Sequence, residues 1–145
     1  METSPVPTDA VLSTLAEFRY AILQFMQVSE MIAQRAGVQA RQYQLLLQVA
    51  GAPTNTLVTV AYAAERLGLK HNSAVELVDR SEREGLLARE EDQNDRRRTL
   101  LRVTRKGRNL LMQLAAQHAR ELTEFAPRLI STLEHLRRQA VTEKA

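Results

Sequence analysis

Two clusters of side chains in this sequence have types and spacing suited to chemistry on nucleic acid. The first is the run Lys70, His71, Asn72, Ser73, followed by Val75 and Glu76. On the first turns of a helix, Asn72 can pair bidentately with adenine, Val75 can touch a thymine methyl, and Glu76 can accept from cytosine N4. Lys70, Ser73 and the helix N-terminus itself suit phosphate oxygens. The second cluster is Asp95 with the consecutive arginines Arg96, Arg97 and Arg98. A guanidinium at the tip of a loop can enter a narrow minor groove. From Asp95 to Arg108 there are seven basic residues and one acid. The formal charge of the chain is only +3, so the argument rests on where the charge sits and not on its total.

Other chemistries find less support. The chain has no cysteine, which excludes disulfides, thiolate metal sites and a thiol switch. His71, His118 and His135 fall on separate elements. His118 and Glu121, one helical turn apart, are too few for a zinc site. No Ser-His-Asp arrangement, phosphate-cradling glycine loop or paired-carboxylate cleft is apparent. The expectation is a protein that is not an enzyme and needs no metal or cofactor. The start, METSPVPTDA, lacks a basic segment followed by an apolar one, and no run reaches membrane-spanning length. A cytoplasmic protein with no membrane partner is expected.

The elements that must hold these clusters follow from periodicity. The 145 residues, 44% hydrophobic and 26% charged, suit one soluble globular domain. Residues 1–8, with Pro5 and Pro7, read as a flexible arm. Asp9 to Ala36 contains no glycine or proline and predicts a helix roughly 40 Å long at 1.5 Å per residue. Its apolar residues lie on more than one side, which calls for cover from a partner chain. Gln39 to Ala50 predicts a second helix, with Tyr43, Leu46, Leu47 and Val49 as its apolar positions. Leu57-Val58 is β-rich, Thr59 is typed for an N-cap, and Val60 to Leu67 predicts a short helix stopped by Gly68. A further helix runs from about Lys70 to Glu84, stopped by Gly85. Leu86 to Arg89 and Thr99 to Val103 predict two strands joined by the polar loop Glu90 to Arg98. Thr104 is the next N-cap, followed by amphipathic helices divided at Pro127.

The order helix, glycine turn, helix, strand, charged hairpin, strand is that of a winged helix-turn-helix. Ala63, Ala64 and Leu67 can pack on Ala74, Leu77 and Val78, because small residues permit close approach and Gly68 permits the reversal. His71, Asn72, Ser73, Val75, Glu76 and Asp79 then project from the other side. The predicted fold is mainly α with a small β-wing. Residues 37–104 form the winged helix-turn-helix, and 9–36 and 105–145 form N- and C-terminal dimerisation helices.

The stretch from Ala63 to Gly107 resembles the multiple antibiotic resistance regulator (MarR) family. The likeness runs through Leu67-Gly68-Leu69, Leu77-Val78-Asp79-Arg80, Glu84-Gly85-Leu86-Leu87, Asp92, Asp95-Arg96-Arg97 and Val103-Thr104 with Gly107. The wing with its terminal Thr-x-x-Gly is the most specific part. The layout of long first helix and C-terminal helices extends the resemblance over nearly the whole chain. It implies a triangular homodimer that binds double-stranded DNA at a pseudo-palindromic operator. It further implies a repressor released by a small effector such as an aromatic acid or phenolic. Asp95 would buttress the wing, Arg97 would be the minor-groove arginine, and Arg96 and Arg98 would support it on phosphates. Met26, Tyr43 and Met112 are the candidate lining of an effector pocket. Glu76 stands where basic or polar residues are common, and Ser81 replaces a usual leucine on the buried helix face. The alternative reading is a winged-helix protein-interaction module that has lost DNA binding.

Overall fold

The computed structural model describes residues 8–144, the last four by backbone alone. The predicted arm, but for Thr8, and Ala145 at the end of the predicted C-terminal helix lie outside the described residues. The elements are α1 (Asp9–Arg35), α2 (Ala40–Ala50), α3 (Val60–Leu67), α4 (His71–Arg83), β1 (Leu87–Glu91), β2 (Thr99–Val103) and α5 (Arg105–Lys144). The fold is mainly α with a small antiparallel wing, as expected. It divides into two compact units, one of Glu30–Ala116 and one holding the outer parts of α1 and α5.

In the Glu30–Ala116 unit, Leu45, Leu46 and Val49 of α2 meet a core that includes Ala63, Ala64, Ala74, Val78, Leu87, Leu101 and Leu114. Each buried leucine contributes about 1.5–3 kcal/mol. On α2 the expected core residue Leu47 is 40% exposed, and Leu45 takes the buried place. The helical turn puts Leu45 on the face of Gln42, Leu46 and Val49, and turns Leu47 away. Alanines 63, 64 and 74 let α3 and α4 approach closely, as their spacing predicts. Gly68 makes the turn between them at φ +65, a conformation L side chains resist, and Leu69 N donates to Ala64 O at 2.9 Å to close the helix end.

β1 and β2 pair antiparallel with Leu87 opposite Val103 and Glu91 opposite Thr99. β1 therefore runs two residues further into the hairpin than its apolar residues indicate. The ladder, closed at its far end by Asp92 N donating to Arg98 O at 3.0 Å, carries Glu90 and Glu91 with it. Leu57-Val58 forms no strand, yet Leu101 N donates to Val58 O at 2.8 Å and anchors that segment to β2.

The wing returns to α5 through Thr104. Its Oγ1 donates to Gly85 O at 2.6 Å and accepts from Gly107 N at 3.0 Å, so one hydroxyl caps α5 and ties it to the end of α4. Glycine is required at 107 because a Cβ there would stand 2.0 Å from Leu86 O. The Thr-x-x-Gly signature is thus a cap and a close backbone approach in one turn.

In the other unit, α1 and α5 run antiparallel. Phe25 meets Phe125 edge to face with centroids 6.0 Å apart, and Arg128 lies 5.5 Å over the Tyr20 ring while donating to Gln24 and Glu17. Contrary to the expected division at Pro127, α5 continues through it. Proline lacks the N–H that would bond to Thr123 O, so the helix runs on with that one backbone bond missing.

Candidate nucleic-acid interface

Helix α4 buries Ala74, Leu77, Val78 and Ser81, an i, i+3, i+4, i+7 stripe. At about 100° per residue the line opposite that stripe holds Asn72, Glu76, Asp79 and Arg83. Ser73 and Arg80 flank it on one side, Val75 and Glu82 on the other. His71, Asn72, Ser73 and Glu76 are exposed and Val75 is half-buried, so the first two turns present the predicted set outward. Lys70, also exposed, is the N-cap residue and makes no side-chain cap bond. The first turn of α4 contains no acidic residue, which leaves the positive end of the helix dipole uncompensated by its own sequence.

The wing tip is organised by two aspartates. Asp92 is buried; its Oδ1 accepts from Asn94 N at 3.0 Å, and its Oδ2 lies 3.5 Å from Arg98 Nε. Asp95 Oδ1 accepts from both the backbone N–H and Nε of Arg97 at 3.1 Å. The Arg97 hydrogen bonds, side chain before backbone, and the nearby Arg98 charge hold the Asp95 carboxyl below the usual carboxylate range. The three arginines are therefore not equivalent. Arg98 is folded onto Asp92 and Asp95, with a side chain 45% exposed. Arg97 is aimed by Asp95 from the turn, and its side chain is 91% exposed. Arg96 is exposed and has no ion pair among the described residues.

Two features escaped the sequence reading. An open groove of about 350 Å³ runs between the start of α2 and α4, lined by Gln39, Arg41, Leu69, Ser73, Glu76, Leu77 and Arg80. It adds Arg41 and Arg80 to the cationic surface beside Ser73. Arg80 was within reach, standing seven residues after Ser73, but nothing in the sequence brings α2 beside α4. The C-terminal end of α4 is also gripped from two sides. Gln42 Oε1 accepts from Gln39 N in the α2 capping box, while its Nε2 donates to Glu84 Oε2 at 2.7 Å. Lys106 Nζ donates to Glu84 O at 2.9 Å. Gln42, and after it Arg80 and Lys106, hold the Glu84 carboxyl below its ordinary range against a smaller opposing effect of desolvation.

Residues 36–98 match the sequence profile of the MarR family. That match spans the winged helix-turn-helix, and the chain has the fold of MarR-family proteins. A MarR family protein from Bacillus stearothermophilus shares the fold at a TM-score of 0.70 and 22% identity, over 96% of this chain and 99% of that one. A point mutant of S. aureus MepR, solved bound to an oligodeoxyribonucleotide, gives 0.63 at 17% identity, over 88% of this chain and 91% of its own. CouR from Rhodococcus jostii RHA1, solved bound to p-coumaroyl-CoA, gives 0.66 at 24% identity, over 81% of each chain. At these identities the likeness is one of fold. No curated protein matches the sequence significantly.

Within the MarR fold, the predicted effector-lining residues occupy different settings. Met26 is exposed on the outer part of α1; Met112 is exposed and Tyr43 buried in the Glu30–Ala116 unit. Burial pushes the Tyr43 phenol up from its ordinary value. His118, weighed with Glu121 as a metal pair, is buried and shares a 2.7 Å hydrogen bond with Ser29 Oγ. Among the described residues no helix is long and apolar enough to cross a membrane.

Proposed function

We propose that the chain is a cytoplasmic, sequence-specific repressor that binds a pseudo-palindromic operator as a homodimer and releases it when a small aromatic acid or phenolic binds. One observation carries the DNA reading: the exposed, polar first turns of α4 stand in the same unit as an arginine-tipped wing in which Asp95 aims the exposed Arg97 guanidinium. In this reading Lys70, His71, Asn72, Ser73, Val75 and Glu76 face the major groove. Arg97 enters the minor groove, and Arg96 and Arg98 support it on phosphate.

The dimer is supported by apolar surface on the outer parts of α1 and α5. Leu12, Leu15, Leu23 and Met26 on one helix and Leu122, Ile130 and Leu133 on the other are exposed. Exposed apolar side chains gathered on two helices favour association, and most such assemblies are two-fold. Two-fold symmetry in turn calls for half-sites about one helical turn apart.

The test is selection of bound fragments from random DNA, followed by salt titration on the best fragment. A pseudo-palindrome and a steep fall of affinity with salt are expected. Failure to enrich any sequence, with salt-independent binding or none, returns the protein to the interaction-module reading. Sedimentation equilibrium should give twice the chain mass. A screen of aromatic carboxylates and phenolics should find compounds that lower DNA affinity and raise the melting temperature of the DNA-free protein.

A further inference from the structure

One side chain ties the wing to the recognition helix. Arg89, on β1, donates from Nη2 to Asp79 Oδ1 at 2.7 Å and from Nη1 to Glu82 Oε1 at 3.0 Å. Its side chain is 27% exposed, so it is turned toward α4. Asp79 and Glu82 lie one turn apart on α4, and Asp79 stands on the line directly opposite the buried stripe. A carboxylate on that line meets phosphate if α4 docks on DNA, and like charges repel there. The guanidinium fork suits this position because one planar group reaches two separate carboxylates, whereas an ammonium is a single point charge.

We propose that Arg89 is a positioning residue of the DNA interface: it fixes α4 against the wing and covers the Asp79 and Glu82 carboxylates that DNA would otherwise meet unpaired. This rests on the DNA reading above. Its consequence is a dependence on context. Arg89 matters to binding only while its two partners are charged.

The experiment compares four proteins on a random-sequence DNA duplex at low salt: wild type, Arg89→Ala, the Asp79→Asn/Glu82→Gln double variant, and the triple variant. Arg89→Ala should weaken binding about tenfold, equivalent to about 1.4 kcal/mol. In the neutralised background the same substitution should change affinity by less than about twofold, because no charge remains to cover. Equal losses in both backgrounds would show that Arg89 touches DNA itself or serves packing alone, and the proposal falls. It also falls if Arg89→Ala binds as wild type does. A DNA-free measurement keeps the two readings apart: a double-mutant cycle of Arg89→Ala and Asp79→Asn on urea unfolding should show coupling. If the wild type binds no duplex, the DNA reading fails by itself. A cycle without coupling removes the latch whatever the DNA result.

Discussion

Replacing Gly107 with alanine places a methyl group where the chain has no room for one. The new Cβ would stand 2.0 Å from Leu86 O, 2.9 Å from Leu86 C and 3.0 Å from Val103 Cγ1. The nearest two obstacles are backbone, so no rotamer change relieves them. Close C–H···O contacts settle at about 3.3–3.6 Å, so the first turn of α5 must retreat by more than about 1 Å. That retreat strains the bonds from Thr104 Oγ1 to Gly85 O, from Gly107 N to Thr104 Oγ1, and from Thr104 N to Leu86 O. Overpacking costs about 1–3 kcal/mol, a weakened cap about 1, and alanine recovers about 1 relative to glycine within a helix. The net expectation is a loss of about 1–3 kcal/mol. Urea unfolding followed by circular dichroism should show a lowered midpoint with an unchanged slope. A midpoint at or above that of wild type would refute the claim that glycine at 107 serves close approach.

Three further outcomes follow from the same structure. Ser81→Ala should stabilise the protein by about 1 kcal/mol, since Ser81 is fully buried and its Oγ has no hydrogen-bond partner; a lower melting temperature would show that the hydroxyl is satisfied. Arg97→Ala should weaken operator binding by about 1–3 kcal/mol and reduce the salt slope while leaving the unfolding midpoint in place; an unchanged slope would dismiss the wing contact. Glu84 has a folded-state carboxyl held below its ordinary value, so its stabilising contribution is present above the ordinary carboxylate range and is lost as pH falls through the depressed value. Glu84→Gln should therefore flatten the acid limb of the stability curve, modestly because the side chain is 40% exposed; an acid limb of unchanged slope would count against this account.

Much of the fold was legible from residue types whose physics is local. Gly68 and Gly85 mark helix ends because their backbones adopt positive φ, and Thr59 and Thr104 mark helix starts because their hydroxyls accept from N–H groups three residues on. Periodicity placed Ala63, Ala64, Ala74, Leu77 and Val78 correctly between α3 and α4. It failed at Leu45 and Leu47, where adjacent leucines satisfy the same apolar pattern and only the neighbouring elements choose between them. It also failed at Pro127, where proline removes one backbone hydrogen bond and the helix continues without it.

For the candidate interface, the sequence by itself determined which side chains are available. A run of polar residues at a helix start and an arginine cluster in a hairpin are local facts that need no partner element. The tertiary structure decided how those side chains are committed. It shows that Arg98 is spent on Asp92 while Arg97 remains exposed, that Asp79 is held by Arg89 from the wing, and that Arg41 joins Arg80 beside Ser73. The physical reason is that these pairs and the groove depend on how strands, turns and helices are set against one another, which no local signal fixes. Helix and turn signals act within about five residues, whereas Arg89 and Asp79 are brought to 2.7 Å by the packing of β1 against α4.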